Sequence, residues 1–195
     1  MGKVITAITM SLDGFIALPD DEVGPLFKWY FSGSTEIPIQ DGRMVLKVAP
    51  ESAALLEEAI RTTGAMIAGR RMFEVAHAWA GHPPFTPCFI ITHAPPPEWV
   101  KEGSPFTFVT DGVESAVRQA RQAAGDKNVA VATASVTQQC LNAGLLDEIH
   151  IDLAPVLLGT GIRLFDHLQG TPIELERTQA VAASGATHLT YRVVR

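Results

Sequence analysis

The sequence predicts a three-layer α/β domain with a mixed, mostly parallel central sheet that ends in an antiparallel C-terminal strand pair. Three observations carry that reading. Strand-like and helix-like segments alternate from residue 50 to 153, the pattern of strands joined by crossover helices. The C-terminal part changes character: residues 174–176 and 188–194 alternate polar and apolar side chains with no helix pattern between them, as antiparallel strands with one wetted face do. With 195 residues, 47% hydrophobic and 18% charged, the chain can bury a sizeable core, so residues 1–195 read as a single domain.

Residues 3–10, KVITAITM, are β-branched and apolar and predict a buried strand. It runs into ITMSLDGFIAL (8–18), an apolar course interrupted by Ser-Leu-Asp-Gly. Asp13-Gly14 signals a tight turn, because glycine tolerates positive φ and aspartate can bond its own backbone. The alternative is a strand that ends at a pocket rim and presents Ser11 and Asp13 to a ligand. From 19 to 50 the periodicity is lost, yet Phe27, Trp29, Tyr30 and Phe31 crowd together; such a segment packs over the core or covers a ligand. Trp29 and Tyr30 are accordingly either core-fillers or platforms for a planar ring.

Residues 50–63 predict a helix, with Pro50 at its start, Leu55, Leu56, Ala59 and Ile60 on one face, and Gly64 just past its end. A strand at 65–68 runs directly into a second helix opened by Gly69-Arg70-Arg71-Met72-Phe73-Glu74. After the proline-rich 82–87, CFIIT (88–92) reads as a strand, and 93–97 as a loop that proline keeps from becoming helical. Asp111 and Glu114 have capping-box spacing and open a helix to about Ala124, with Val113, Ala116, Val117 and Ala120 inward. Residues 128–132 are a strand. Ser135 and Gln138 form a second capping box before a short helix ending at Gly144, and 147–153 is a strand again.

Charge narrows the function. The net charge is −6 and no basic cluster exceeds Arg70-Arg71, so the footprint of nucleic acid or an anionic membrane is missing. The N-terminus lacks a long apolar run with a cleavage signal and no stretch approaches 18 apolar residues, which predicts a cytoplasmic protein. Cys88 and Cys140 read as core thiols. The six histidines, at 77, 82, 93, 150, 167 and 188, show no ligand spacing, so no metal is expected.

Chemistry concentrates at two places where a strand turns straight into a helix. A helix N-terminus has unpaired N–H groups and partial positive charge, and so holds phosphate without a special side chain. At the first, Gly69 permits close approach and Arg70 and Arg71 add cations; at the second, Ala132-Thr133-Ala134-Ser135 supplies small residues and hydroxyls. A ligand with several phosphates could bridge both. The plainer reading is that small residues serve packing and the arginines are solvated. Neither turn matches a P-loop or GxGxxG.

Three segments, MSLDGFIA (10–17), AGRRMFE (68–74) and GLLDEIHIDLAPVLLGTGIRLF (144–165), resemble the dihydrofolate-reductase-like superfamily. Within it, they resemble the branch containing the reductase domain of the bifunctional riboflavin-biosynthesis deaminase-reductase. The resemblance implies a dihydrofolate-reductase-like fold and an NADPH-dependent reductase, often homodimeric, that holds a flat heterocycle beside the nicotinamide. A relative of 5-amino-6-(5-phosphoribosylamino)uracil is one candidate substrate. It further implies that Arg70 reaches the adenosine 2′-phosphate and that Arg71, with the backbone at Gly69, faces the pyrophosphate. Thr92 would lie near the adenosine phosphate, and Ala134, Ser135 and Val136 would take the pyrophosphate's other side. Ser11 and Asp13 would border the substrate, with Trp29 and Tyr30 nearby. Asp13 would orient the heterocycle or relay a proton; the second role needs a pKa raised by burial.

The chain departs from that pattern in four places. Ala132-Thr133-Ala134 stands where dihydrofolate reductases carry a glycine pair, and Ala132 also where riboflavin-type reductase domains often carry glutamate. Met72 replaces a frequent threonine, and PLFKWYF lacks a carboxylate for a pterin. Three other readings stay open: a nucleotide- or pterin-binding protein of the same fold without turnover, a dihydrofolate reductase, and an interaction module.

Overall fold

The structure is a computed structural model that describes residues 2–170 and 172–194. In chain order it contains β1 (Val4–Ser11), β2 (Phe15–Ala17), a 3-10 segment (Gly24–Phe31), β3 (Thr35–Ile39) and β4 (Met44–Val48). Next come α1 (Pro50–Thr62), β5 (Thr63–Gly69), α2 (Arg70–Val75), a 3-10 turn (His77–Gly81), β6 (Cys88–Ile91) and β7 (Phe106–Val109). The remainder is α3 (Val113–Ala124), β8 (Asn128–Val131), α4 (Ala134–Asn142), β9 (Glu148–Ala154), β10 (Ile162–Arg163), β11 (Leu175–Ala183) and β12 (Ala186–Val193).

Eight strands form the central sheet in the order β11-β12-β9-β1-β8-β5-β6-β7. From β9 to β7 every neighbouring pair is parallel, whereas β12 runs antiparallel to β9 and β11 antiparallel to β12. The mixed, mostly parallel sheet and the C-terminal antiparallel pair are therefore as expected.

Strand alternation sends side chains to two faces. On one face Val4, Ala65, Ile67, Val129, Val131, Ile149 and Ile151 pack beneath α3 and α4, which contribute Val113, Ala116, Val117, Ala120, Val136 and Cys140. The inward side of α3 is the one its periodicity predicts. On the other face two separate clusters form. One joins Met66, Ala68, Cys88, Ile90 and Phe106 to Phe73 of α2. The second joins Trp29, Ile37, Leu46, Val48, Ala53 and Ala186, so the aromatic segment, the β3–β4 hairpin and α1 cover β12. Between them the sheet is bare: Ala7, in the middle of interior strand β1, is exposed.

Several local expectations are corrected. Helix α1 passes straight into β5, and Gly64 lies within that strand. A Cβ there would come 2.8 Å from Lys127 Cβ and 3.0 Å from the Ala124 carbonyl oxygen, so glycine lets the end of α3 approach. Ser52 and Ala53 are the buried residues of α1 and Leu56 packs partly buried against the same cluster, while Ile60 near the far end is exposed. Neither capping box forms: α3 is preceded by Gly112 at φ +99°, α4 by Thr133, and neither cap makes a side-chain bond. Ser135 instead sits inside the first turn of α4. The β3–β4 hairpin, absent from the reading of residues 19–50, turns through Gln40, Asp41 and Gly42, all at positive φ; Asp41-Gly42 is its local signal.

Residues His77 to Ala80 have φ between 46° and 51°, a left-handed run that costs about 1–2 kcal/mol per non-glycine residue. Burial of Ala78 and the stacking of Trp79 on Phe106 at 6.2 Å hold it in place. Both cysteines are free and buried. No helix among the described residues is long and apolar enough to cross a membrane.

Docking of the hairpin is sensitive to one position. A Cβ on Gly33 would lie 1.9 Å from the Val48 carbonyl carbon, so Gly33→Ala should lower unfolding free energy by about 3 kcal/mol, at the upper end for overpacking. Gly42→Ala, where a Cβ meets nothing within 4 Å but φ is +79°, should cost only the left-handed penalty of about 1–2 kcal/mol. Urea titration of the two variants measures the difference.

Candidate functional site

Parallel strands deliver their C-terminal ends to one edge of the sheet, where open α/β folds bind ligands. Because β5 pairs with β8, Ile67 opposite Val131, the junctions β5–α2 and β8–α4 lie side by side. A Cβ on Gly69 would sit 3.5 Å from Thr133 Oγ1, 3.6 Å from Ser135 Oγ and 3.7 Å from Val136 Cγ2. Gly69 has φ −87° and those are ordinary contact distances, so neither the backbone angle nor crowding demands glycine here. The two phosphate-competent turns face each other across it. Ala134 and Val136 are buried and shape the turn, whereas Ser135 is exposed. Thr133 Oγ1, which the sequence reading did not single out, is buried without a hydrogen-bond partner among the described residues.

Arg70 and Thr92 also meet. The Arg70 guanidinium donates to Glu74 Oε1 through Nε at 2.6 Å and to the Ala94 carbonyl through Nη1. Thr92, only 5% exposed, receives the Ala94 amide on Oγ1 at 3.2 Å. Arg71 is bound to both oxygens of Asp21, at 2.7 and 2.8 Å, and that contact raises its pKa. Each arginine therefore already holds a carboxylate. Such surface pairs are worth at most about 1 kcal/mol, so an arriving phosphate can compete for either.

At the end of β1 the Ser-Leu-Asp-Gly stretch makes a tight turn, Gly14 N–H donating to the Ser11 carbonyl at 3.0 Å with Gly14 at φ +89°. Its polar side chains are spent on the protein itself. Ser11 is fully buried, donates to Asp13 Oδ1 at 2.6 Å and accepts the Phe15 amide at 2.9 Å. Asp13 also accepts the amides of Leu158 and Gly159 at 3.1 and 2.7 Å. The Ser11 hydroxyl above all, with the Gly159 and Leu158 amides, holds the Asp13 carboxyl down at about 2. A proton relay needs the opposite shift; what the geometry shows is a carboxylate that clasps the 156–159 loop through the Leu158 and Gly159 amides.

Trp29 is a core residue. It is 2% exposed, donates from Nε1 to Thr9 Oγ1 at 3.2 Å, and stacks on Tyr30 at 4.0 Å. That leaves no open face for a planar ligand. Tyr30 is half-buried, and burial, then the nearby Asp152 charge, pushes its hydroxyl up and keeps it protonated.

Beside this edge lies the bare strip of sheet. Its floor is Ala7 with the half-buried Ala130 and Ala132. Along it, β9 places Glu148, His150 and Asp152 opposite Ile5, Ala7 and Thr9. Glu148 accepts from Lys3 Nζ at 2.5 Å and from His150 Nε2 at 2.9 Å; burial alone would raise its pKa, but these two partners bring it below the usual value. The signal was present in EIHID, since an interior strand covered on both faces reads as a continuous apolar run. Two depressions of about 690 and 570 Å3, one along α3 and one beside the C-terminal strand, open elsewhere and do not reach this edge. Among the described residues no group of three or more His, Cys, Asp or Glu is placed to hold a metal ion.

The model of the RibD C-terminal domain family matches residues 2–188. No curated protein matches the sequence. Among solved structures, a candidate riboflavin biosynthesis protein from Shewanella sp. PV-4 superposes with a TM-score of 0.76 at 18% identity, covering 99% of each chain. A pyrimidine reductase-like protein from Corynebacterium diphtheriae gives 0.63 at 12% identity, covering 100% of this chain and 92% of that one. The diaminohydroxyphosphoribosylaminopyrimidine deaminase/5-amino-6-(5-phosphoribosylamino)uracil reductase of Thermotoga maritima gives 0.68 at 12% identity, over 99% of this chain and 57% of that longer one. At these identities the likeness is one of fold.

The Asp13 clasp has a defined pH signature. Its pKa is depressed from 3.8 to about 2 on folding, so its stabilisation is complete above the unfolded value and is lost as pH falls from about 4 toward 2. Asp13→Asn should be less stable than the native protein at pH 7, with the difference shrinking below pH 4 and vanishing only below about pH 2, and should speed amide exchange at Leu158 and Gly159. Equal stability at pH 7 would refute the clasp.

Proposed function

The chain belongs to the RibD C-terminal domain family, and from that membership we propose that it is an NADPH-dependent reductase of a small heterocycle, an aminopyrimidine of the riboflavin route such as 5-amino-6-(5-phosphoribosylamino)uracil being the leading candidate. One observation carries the proposal: two helix-opening turns face each other across Gly69, with Thr133 Oγ1 aimed there and unbonded. A dinucleotide has the complementary chemistry, a pyrophosphate able to accept from both turns.

In this reading Arg70 and Thr92 bind the adenosine 2′-phosphate end. Arg71 and the Gly69 backbone hold one side of the pyrophosphate, and the Thr133 hydroxyl with the first-turn amides of Ala134, Ser135 and Val136 holds the other. The bound nicotinamide supplies the hydride. Ala7, Ala130 and Ala132 offer a flat, side-chain-poor floor on which a planar ring can lie, and Tyr30 walls one side against water. Asp13 acts at a distance, by fixing the 156–159 loop, and donates no proton.

One observation favours a rival, a nucleotide-binding protein without turnover: both arginines are already paired, which weakens their hold on a phosphate. NADPH consumption with oxidised heterocycles separates the two readings.

We also propose a homodimer. The edge strand β11 is exposed along nearly all its length, and an open edge is a liability that pairing across a two-fold axis removes. Light scattering should give twice 21.0 kDa; a 21.0 kDa particle at micromolar concentration refutes it.

Cofactor preference is the direct measurement. A charge-assisted contact contributes about 1.5–3 kcal/mol, so native protein should bind NADPH more tightly than NADH, and Arg70→Ala should weaken NADPH by about tenfold or more while leaving NADH nearly unchanged. Equal affinities in the native protein would sink the assignment.

A further inference from the structure

Ser52, His188 and Asp152 come from α1, β12 and β9 and form one hydrogen-bonded chain. Asp152 Oδ1 is 2.6 Å from His188 Nδ1, and His188 Nε2 is 2.8 Å from Ser52 Oγ. A carboxylate only accepts, so Nδ1–H donates to Asp152, and in the neutral imidazole Nε2 receives the Ser52 hydroxyl proton. In an open site the three groups would be nucleophile, base and orienter. Here the serine end is sealed: Ser52 has no exposure, His188 is buried, and Trp29 packs edge-on against the imidazole at 5.2 Å. A substrate cannot reach Oγ.

The other end is open. Asp152 keeps 22% of its side chain exposed. Its register partner on β1 is Thr9, which places it one strand over and two residues along from exposed Ala7; the strand spacing and rise put the two roughly 8 Å apart, within reach of one ligand. Oδ2 has no hydrogen-bond partner among the described residues, whereas Oδ1 is fixed by His188. The carboxylate also lies close enough to the Tyr30 hydroxyl for its charge to raise that group's pKa, and a partly exposed acceptor beside a floor of alanines can receive hydrogen bonds from a flat molecule lying there.

We infer that Asp152 is the substrate-anchoring carboxylate of this cleft, braced by His188 and Ser52 as positioning residues, and that it selects planar rings with neighbouring N–H donors on one edge. This rests on the reductase reading for the identity of the cleft and deepens it, because PLFKWYF, where a carboxylate would otherwise be sought, contains none. The charge discriminates by sign and direction: amino and ring N–H groups are accepted, while alkoxy or carboxylate edges present lone pairs to an acceptor and leave it unpaired.

The test needs no knowledge of the physiological substrate. 2,4-Diaminopyrimidine and 2,4-dimethoxypyrimidine share one ring and differ in their donors, and both are titrated calorimetrically into the full chain, with NADPH titrated in parallel. The native protein should bind the diamino compound at least tenfold more tightly. Asp152→Asn keeps an oxygen for His188 and removes the charge, so it should bring that ratio close to one while leaving NADPH affinity unchanged. Ser52→Ala, which leaves the carboxylate but frees the imidazole, should reduce the ratio partway, a change that a merely structural serine would not produce. Equal binding of the two compounds by native protein, binding of neither, or an unchanged ratio in Asp152→Asn overturns the inference. If Asp152→Asn does not fold, the native comparison still decides. NADPH binding without discrimination fails this inference alone; discrimination without NADPH binding fails the reductase reading and leaves the anchor standing.

Discussion

Strand β1 is hydrogen-bonded along both edges, to β8 from Val4 to Thr6 and to β9 from Ile5 to Ser11, and the rest of the molecule is arranged around that double pairing. Because both neighbours are parallel to it, three strand ends arrive together at one edge, and the turns that follow them have to share the space. The same pairing decides the faces. Val4 and Thr6 go under α3 and α4, while Ile5, Ala7 and Thr9 go to the side where the covering layer splits in two. A one-residue slip would exchange these sets, burying small residues under the helices and turning Val4 to the cleft.

How much of this was legible depended on whether the signal was local. The β5–α2 and β8–α4 junctions were found because a strand passing directly into a helix leaves its mark within a few residues. That one ligand could bridge them was also expected, but the strand order that brings them together, β8 inserted between β1 and β5, has no local mark. The capping boxes misled because spacing is a weak constraint when a helix start is already positioned by its strand: Gly112 and Thr133 serve with no side-chain bond. β7 was passed over although it is no shorter than β6 or β8; Thr107 breaks the apolar run that CFII keeps. For the β3–β4 hairpin the clue was local but overridden, Pro38 in the strand weakening what Asp41-Gly42 announced.

The polar residues divide by what they already hold. Asp13 and Ser11 looked like ligand groups in sequence because they sit at a strand end, yet their bonding capacity is used by Phe15, Leu158 and Gly159. Thr133 counted only as one hydroxyl of its turn and Asp152 had no role in the sequence reading, yet they are the ones with capacity left. A residue type and its address say what chemistry is available; only the partners say whether it is free. The arginines fall between, each engaged by one carboxylate in an exposed pair that a stronger anion can displace.

The central place of β1 also bears on how the chain comes off the ribosome. β1 has both edges satisfied by strands far downstream of it, and its partners Val129–Val131 and Glu148–Ala154 are synthesised long after it has emerged. Until then an apolar, β-branched segment waits with both edges open, during the seconds that elongation takes. Its earliest neighbours in sequence, β2 to β4, belong to other sheets and cannot shield its edges. Nascent-chain protection therefore has one address, β1 (Val4–Ser11), and the rate of native assembly is governed by a long-range closure rather than by the helices, which form locally and early.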